Sequence, residues 1–364
     1  MNISDLFKTM IKKDASDIHL KVGSMPIYRI NKQLVPQEEY KKFTKDEMEE
    51  VISQITTESQ RKEFDEKSEI DFAYIADGIG RFRVNIFRQR GETGIVMRRI
   101  KEEIPTFAEL NLPPILEKVA MSERGIILVT GASSTGKSTT LASMINYINM
   151  NKKKHIMTLE NPIEYLHSDK KSVINQREIG VDTDSFHAAL KHIMRQDPDI
   201  IVIGEMRDRE SVMTSISAAE SGHVVLSSFH AEDTVQAIVR LLDFFPYSEK
   251  EQARMQLAGN LKAITCQRLL KKRGAEDEGL IPVVEILVVT PIVARLIREN
   301  KLKDIYKALQ HGEDGMCNFN MSIIDLYKKN LITKEEALSK SNSPETLKIN
   351  LKGIFLDEDK GILG

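Results

Sequence analysis

The sequence predicts an α/β fold: a largely parallel sheet in the second part of the chain, an α+β portion before it and amphipathic helices after it. Three observations carry this. Five short apolar runs, 126–129, 156–159, 200–203, 224–226 and 283–289, are separated by helical stretches. Such runs read as strands buried on both faces, which need crossover helices and therefore a parallel sheet. Residues 131–138 read GASSTGKS, after GIILVT and before TTLASMINYI, a glycine loop between a strand and a helix. Finally, at 364 residues the chain exceeds the size at which one core keeps growing, so two domains are expected.

Residues 1–100 supply the first domain. Its clearest element is RFRVNIFRQR, 81–90: Phe82, Val84 and Ile86 fall on one side, Arg81, Arg83 and Asn85 on the other, the period of a half-buried strand. The arginine row is either a solvated basic face or a contact for something anionic. Residues 101–114, KEEIPTFAELNLPP, hold three prolines and no sustained period, so they read as the linker. Residues 115–364 form the second domain, ending in IVARLIREN, SIIDLYKKN and TKEEALSK, all of helical, amphipathic pattern.

Charge is nearly balanced, 52 basic against 54 acidic side chains, where a general nucleic-acid coat protein would show a basic excess. Cys266 and Cys317 stand far apart without His or Cys at ligand spacing, which favours two reduced thiols over a metal site. The start, MNISDLFKTMIKKD, has no apolar core, and the longest apolar stretch, IPVVEILVVTPIVA, is broken by Glu285. The expected location is therefore the cytoplasm, with any membrane association peripheral.

The chemistry is expected around the loop. Gly131, Gly136, Lys137 and Ser138 match G-x-x-x-x-G-K-[ST]; the glycines let backbone N–H groups wrap phosphates, Lys137 neutralises the β/γ oxygens and Ser138 offers a hydroxyl to Mg²⁺. Hydrolysis also needs carboxylates. DPDIIVIGEMRD ends its apolar strand on Glu205, where open α/β sheets gather ligands. HIMTLENPIEYLH carries Glu160 and, past Pro162, Glu164; spacing alone leaves Glu164 open between a role in the reaction and an ordinary turn carboxylate. His223 and His230 bracket a buried strand, seven apart, which is not metal spacing and leaves open packing or a γ-phosphate contact.

Taken in order, DASDIHL, RFRVNIFRQRG, GKSTT, TLENPIEYLH, QREIG, RQDPDIIVIGEMRD, SGHVVLSSFHA and QRLL resemble the bacterial secretion ATPases, and within them the type IV pilus retraction ATPases of the PilT and PilU type. The resemblance implies an N-terminal PAS-like α+β domain, a RecA-like P-loop ATPase domain with trailing helices, and a homohexamer with ATP and Mg²⁺ between subunits. It implies Glu164 as the water-activating carboxylate and Glu205 as the carboxylate acting on Mg²⁺ through water, with Ser138 as the other metal-side group. Ser134, Thr135 and Thr139 join the loop in nucleotide binding, as does His223, with His230 on the catalytic side. The family's arginines from the neighbouring N-terminal domain fall in Arg81, Arg83 and Arg88. An inner-membrane pilus platform protein and a paralogous retraction ATPase are the implied partners, with no nucleic acid.

Three departures from the family pattern stand out: Asn161 replaces an acid, Ala-Ser-Ser-Thr replaces Pro-Thr-Gly-Ser inside the loop, and Ala294 stands where a retraction motif has arginine. With GMCNFNMSIIDLYKKNLITKEEAL and the longer tail, they point to a PilU-like accessory partner as the alternative to a principal motor. An extension or type II secretion ATPase is the other alternative, but two cysteines cannot build that group's four-cysteine zinc element.

Overall fold

The computed structural model describes residues 2–30, 33–100, 103–274 and 279–351. The chain divides into two compact units, Met1–Glu103 with Glu164–Leu166, and Ile104–Ile163 with His167–Gly364.

The first unit is α+β. Strands β1 (Asp17–Lys21), β2 (Ile27–Ile30), β3 (Gln33–Pro36), β4 (Glu69–Ala76), β5 (Gly80–Gln89) and β6 (Glu92–Arg99) form one sheet in the order β3-β2-β1-β6-β5-β4, antiparallel at every pairing. In β5, Phe82, Val84 and Ile86 are fully buried, and Phe82 stacks on Phe7 of the helix Ile3–Lys12 at 3.8 Å. Helices Lys45–Ile55 and Glu58–Lys67 each start on a reciprocal capping box, Thr44 with Glu47 and Thr57 with Gln60, which satisfies two otherwise orphaned N–H groups per helix.

The DASDIHL segment has a structural use. Asp17, 2% exposed, accepts from Arg98 Nε at 2.7 Å and Ser16 Oγ at 2.7 Å, with Arg29 Nε at 3.5 Å, so one buried carboxylate ties β1 to both its neighbours. Removing one partner of a buried ion pair strands the other, at about 3–5 kcal/mol when both are buried; with Arg98 largely exposed the expected cost of Asp17→Ala is about 2 kcal/mol. Faster hydrogen exchange at β1 and β6 amides is the measurement.

The second unit holds β7 (Gly125–Thr130), β8 (His155–Glu160), β9 (Val173–Glu178), β10 (Ile200–Glu205), β11 (Val224–Phe229), β12 (Leu261–Lys271) and β13 (Leu280–Val288), ordered β13-β12-β7-β11-β10-β8-β9. All pairings are parallel except β12 with β13. β7 and β11 are buried at every position, and strand alternation sends successive residues to opposite layers. Ile126 and Leu128 join Val212, Ile216 and Ile238 of helices Arg209–Glu220 and Thr234–Asp243. Ile127 and Val129 join Leu141, Met144 and Ile148 of helix Lys137–Asn151.

The expected linker does not behave as one throughout. The unit boundary falls between Glu103 and Ile104, and Phe107 and Leu112 are buried in the core beneath helix Lys137–Asn151, whose Ser143 Oγ donates to the Pro105 carbonyl at 2.6 Å. The trailing region is helical, Pro291–Arg298, Ile305–His311, Phe319–Lys328, Lys334–Lys340 and Pro344–Leu351; Phe319, Ile323, Ile332, Ala337 and Leu347 pack on Leu270, Ile281 and Val283 of β12 and β13. The final tail, 352–364, lies outside the described residues. Among the described residues no helix is long and apolar enough to cross a membrane.

Candidate functional site: the loop after β7 and the ends of β10 and β11

β7 runs straight into the glycine loop. Gly131 has φ +144°, and a Cβ there would sit 2.5 Å from the Gln267 carbonyl oxygen and 2.7 Å from Thr135 Oγ1. Gly136 has φ +87°, and Ser134 also takes a left-handed φ, +61°, so the chain doubles back twice within six residues. Thr135 Oγ1 closes the ring onto the Ala132 carbonyl at 2.9 Å. Helix Lys137–Asn151 then begins on Gly136 without a side-chain cap, so its first turn, Lys137, Ser138 and Thr139, presents the positive end of the helix dipole at the loop, an arrangement that favours an anion. Lys137 Nζ donates to the Gly131 and Ala132 carbonyls at 3.1 and 2.8 Å, which keeps the ammonium over the loop.

The parallel pairing of β10 and β11 sets Glu205 opposite Ser228, two residues before His230. His230 Nε2 lies 3.1 Å from Glu205 Oε1 and Nδ1 lies 3.2 Å from the Gly131 carbonyl. Both partners are acceptors, so forming both bonds at once needs a proton on each ring nitrogen. The other carboxylate oxygen of Glu205 accepts from Arg207, Nε at 2.8 Å and Nη2 at 2.7 Å, a forked pairing. Gly204 lets β10 come this close to β8: a Cβ there would meet the Leu159 carbonyl at 3.1 Å. On β8, Glu160 Oε1 accepts from Thr158 Oγ1 at 2.7 Å and Gln176 Nε2 at 3.1 Å. A cavity of about 440 Å³ opens beside these groups, lined by Glu205, Arg207, Phe229, His230, Arg240 and Phe244.

The structure thus brings Gly131, Lys137, Glu205 and His230 into one contact network, with Ser134, Thr135, Gly136, Ser138 and Thr139 on the loop and helix start. It does not bring His223 there. That residue precedes β11, its backbone carbonyl accepts from Gly125 N at 2.9 Å, and its Nδ1 lies 3.0 Å from both Ser221 Oγ and the Ala218 carbonyl. β11 pairs in register with β7 from Val224 opposite Gly125 to Phe229 opposite Thr130. A strand of this length therefore separates His223 from the loop of its own chain, roughly 17–20 Å.

Glu164 is exposed, beyond Pro162 and within the short stretch grouped with the first unit. Arg81 and Arg83 lie on the partly exposed face of β5, Arg83 pairing with Asp71 through Nε at 3.0 and 3.1 Å and through Nη2. Arg88 departs from their row. Its position has the parity of Ile86, and its guanidinium lies over the Phe64 ring at 5.1 Å.

Sequence reading missed Arg207 and Gln267, and also Glu285. The Glu285 carboxylate on β13, 4% exposed, accepts from Thr234 N and Thr234 Oγ1, both at 2.9 Å. It thereby anchors the segment that follows His230. Burial pushes this carboxyl up from its ordinary range, so the folded chain binds more protons than the unfolded one above that range, and stability is lost as pH rises through it. Glu285→Gln keeps an acceptor for Thr234. The variant is expected to melt above the parent at pH 8, with the gap closing towards pH 5, by differential scanning calorimetry.

The chain matches the family model "Type II/IV secretion system protein" over residues 2–324. It is 40% identical over 353 residues to the type IV pilus ATPase PilU of Pseudomonas aeruginosa, covering 97% of this chain and 92% of that one. To the type IV pilus retraction ATPase PilT of the same organism it is 39% identical over 350 residues, 95% and 99% of the two chains. Among solved structures, that of the pilus retraction motor PilT with bound ADP superposes with a TM-score of 0.89 at 40% identity, over 96% of this chain and 99% of that one. With a phosphate loop, a strand-end carboxylate and a histidine joined in one network, and with relatives matched nearly end to end, the chain belongs to the type IV pilus retraction ATPase family of the type II/IV secretion system proteins.

Proposed function

We propose that this chain is the ATP-hydrolysing motor of type IV pilus retraction, working as a homohexamer at the cytoplasmic face of the inner membrane against the pilus platform protein. The observation that carries the reading is the network of Gly131, Lys137, Glu205 and His230, which connects the phosphate loop to the catalytic strand ends. The N–H groups at the start of helix Lys137–Asn151 and the Lys137 ammonium hold the phosphates of ATP. His230, between Gly131 and Glu205, reports on loop position to the carboxylate. Glu164 orients the attacking water, and Arg81 and Arg83 of a neighbouring subunit stabilise charge on the transferring phosphoryl group.

The residues fit Mg²⁺. Ser138 lies in the first turn of helix Lys137–Asn151 and Glu205 ends β10, a hydroxyl and a carboxylate, the hard oxygen donors that a Mg²⁺ ion takes alongside waters and phosphate oxygens. When bound, Mg²⁺ neutralises charge that develops on the phosphates. The test of the motor reading is the gene deletion: cells lacking the chain are expected to be hyperpiliated and non-twitching. Near-normal twitching would instead identify an accessory partner of a paralogous motor, a reading favoured by the nearly equal identity to PilU and PilT, 40% and 39%. Turnover is expected to be indifferent to added DNA.

A further inference from the structure

Gln267 of the QRLL segment is 2% exposed, an unusual place for an amide unless both ends are bonded. Both are. Its Nε2 donates to the Thr135 carbonyl at 2.7 Å and its Oε1 accepts from Thr140 Oγ1 at 2.8 Å. One end therefore holds the phosphate loop and the other holds the first turn of the helix that follows it. The register explains the reach: β12 runs parallel to β7 with Cys266 opposite Thr130, so the next residue stands beside Gly131. There the Gln267 carbonyl occupies the space that a side chain on Gly131 would fill, and its Nε2 lies 2.9 Å from where a Cβ on Gly136 would stand. Both glycines of the loop are thus shaped against one residue.

The next residue along β12 faces the opposite layer. Arg268 lies over the Phe319 ring at 3.9 Å. Its Nη1 donates to the Lys340 carbonyl at 3.1 Å and to Asn342 Oδ1 at 2.6 Å, and its Nη2 donates to the Glu232 carbonyl at 3.2 Å. Glu232 is two residues past His230. One dipeptide therefore touches the phosphate loop on one side, and the trailing helices together with the histidine segment on the other.

We propose that Gln267 is a positioning residue for ATP hydrolysis, fixing the phosphate loop against its helix, and that Arg268 fastens the trailing helices 319–351 to the same strand, so that the state of those helices is felt at the phosphates. This deepens the ATPase reading and rests on it. The buried amide is the brace that ties the loop to the first turn of its helix and so keeps the phosphates in reacting geometry, and a displacement of about 1 Å can cost about a hundredfold in rate. Binding draws on many N–H groups and depends less on one brace.

The test is steady-state ATP turnover by the full-length hexamer of the parent, Gln267→Leu, Thr140→Val, their double variant and Asn342→Ala, with nucleotide binding and melting temperature measured alongside. Gln267→Leu is expected to lower kcat about 10- to 100-fold while KM for ATP moves less than about threefold. Thr140→Val, which keeps the volume and removes only the hydroxyl, is expected to lose about 3- to 10-fold, the worth of one hydrogen bond. The double variant should lose no more than Gln267→Leu, because the bond that Thr140→Val removes is one of the two that Gln267→Leu already breaks. Asn342→Ala should lower kcat about two- to threefold without changing KM.

Gln267→Leu at parental kcat overturns the proposal, as do additive losses in the double variant or losses that only track the folded fraction. If Gln267→Leu fails to fold, Thr140→Val at parental kcat overturns it equally. Asn342→Ala at parental kcat overturns the link to the trailing helices. A parent that turns over no ATP sinks the ATPase reading itself, a result distinct from all of these.

Discussion

Lys137→Met hydrolyses ATP about 10²- to 10³-fold more slowly than the parent, the loss expected when one fixed donor is removed from a site where charge develops in the transition state. The substitution keeps a long unbranched side chain that can lie over the loop, so the backbone path through Gly131, Ser134 and Gly136 has no steric reason to change. What goes is the ammonium that the Gly131 and Ala132 carbonyls hold in place, at 3.1 and 2.8 Å. Those carbonyls are exchangeable partners: the charge they hold at rest is available to phosphate oxygens, which bear full negative charge and bind an ammonium more strongly than a neutral carbonyl does. Phosphate release under saturating ATP is the measurement. Thermal stabilisation by nucleotide should also shrink, since the lysine contributes in the ground state as well as the transition state. Turnover within threefold of the parent would remove Lys137 from the reaction and leave the loop as a structural turn.

The ATPase core was legible because its physics is local. Strands such as 125–130 and 224–229 are buried on both faces and therefore apolar throughout, and a loop that must double back displays its glycines. Where the reading fell short, polar residues had partners that a sequence does not display. β12 was not recognised because Gln267 and Arg268 break its apolar run, although Gln267 is satisfied inside the molecule by the loop it braces. β9 is an edge strand with one open side, so VINQRE carries little apolar signal. Arg207 looks like any charged residue after a strand, and only the turn of the chain shows it forked onto Glu205. The proline-rich stretch before residue 115 carried a signal for packing in Phe107 and Leu112, which prolines overshadowed. His223 and Arg88 lie apart, within one chain, from the groups they were read with. A parallel strand has its two ends at opposite edges of the sheet, so the histidines bracketing β11 cannot both face the loop of their own chain, and the period of two already sets Arg88 apart from Arg81 and Arg83.

The two carboxylates offered for hydrolysis are separated by what each already does. Glu205 has one oxygen taken by the Arg207 fork and the other by His230, so its lone pairs are directed by protein groups and it acts as a fixed negative post beside Gly131. Glu164 stands exposed past Pro162, able to meet a water molecule. Glu164→Gln is therefore expected to lower kcat by about 10²- to 10⁴-fold, the range for a group that takes or orients a proton in the transition state, while ATP still binds with near-parental affinity because no phosphate contact is removed. Single-turnover kinetics should then show ATP accumulating on the hexamer intact. Glu205→Gln breaks a different link: the amide still accepts from His230 but loses the charge that pairs with Arg207, so its loss should be accompanied by a changed Mg²⁺ requirement. If Glu164→Gln keeps turnover within threefold of the parent while Glu205→Gln loses more than a hundredfold, the water-orienting carboxylate is Glu205. The hydrolytic centre then lies wholly at the ends of β10 and β11, within a single unit of the chain.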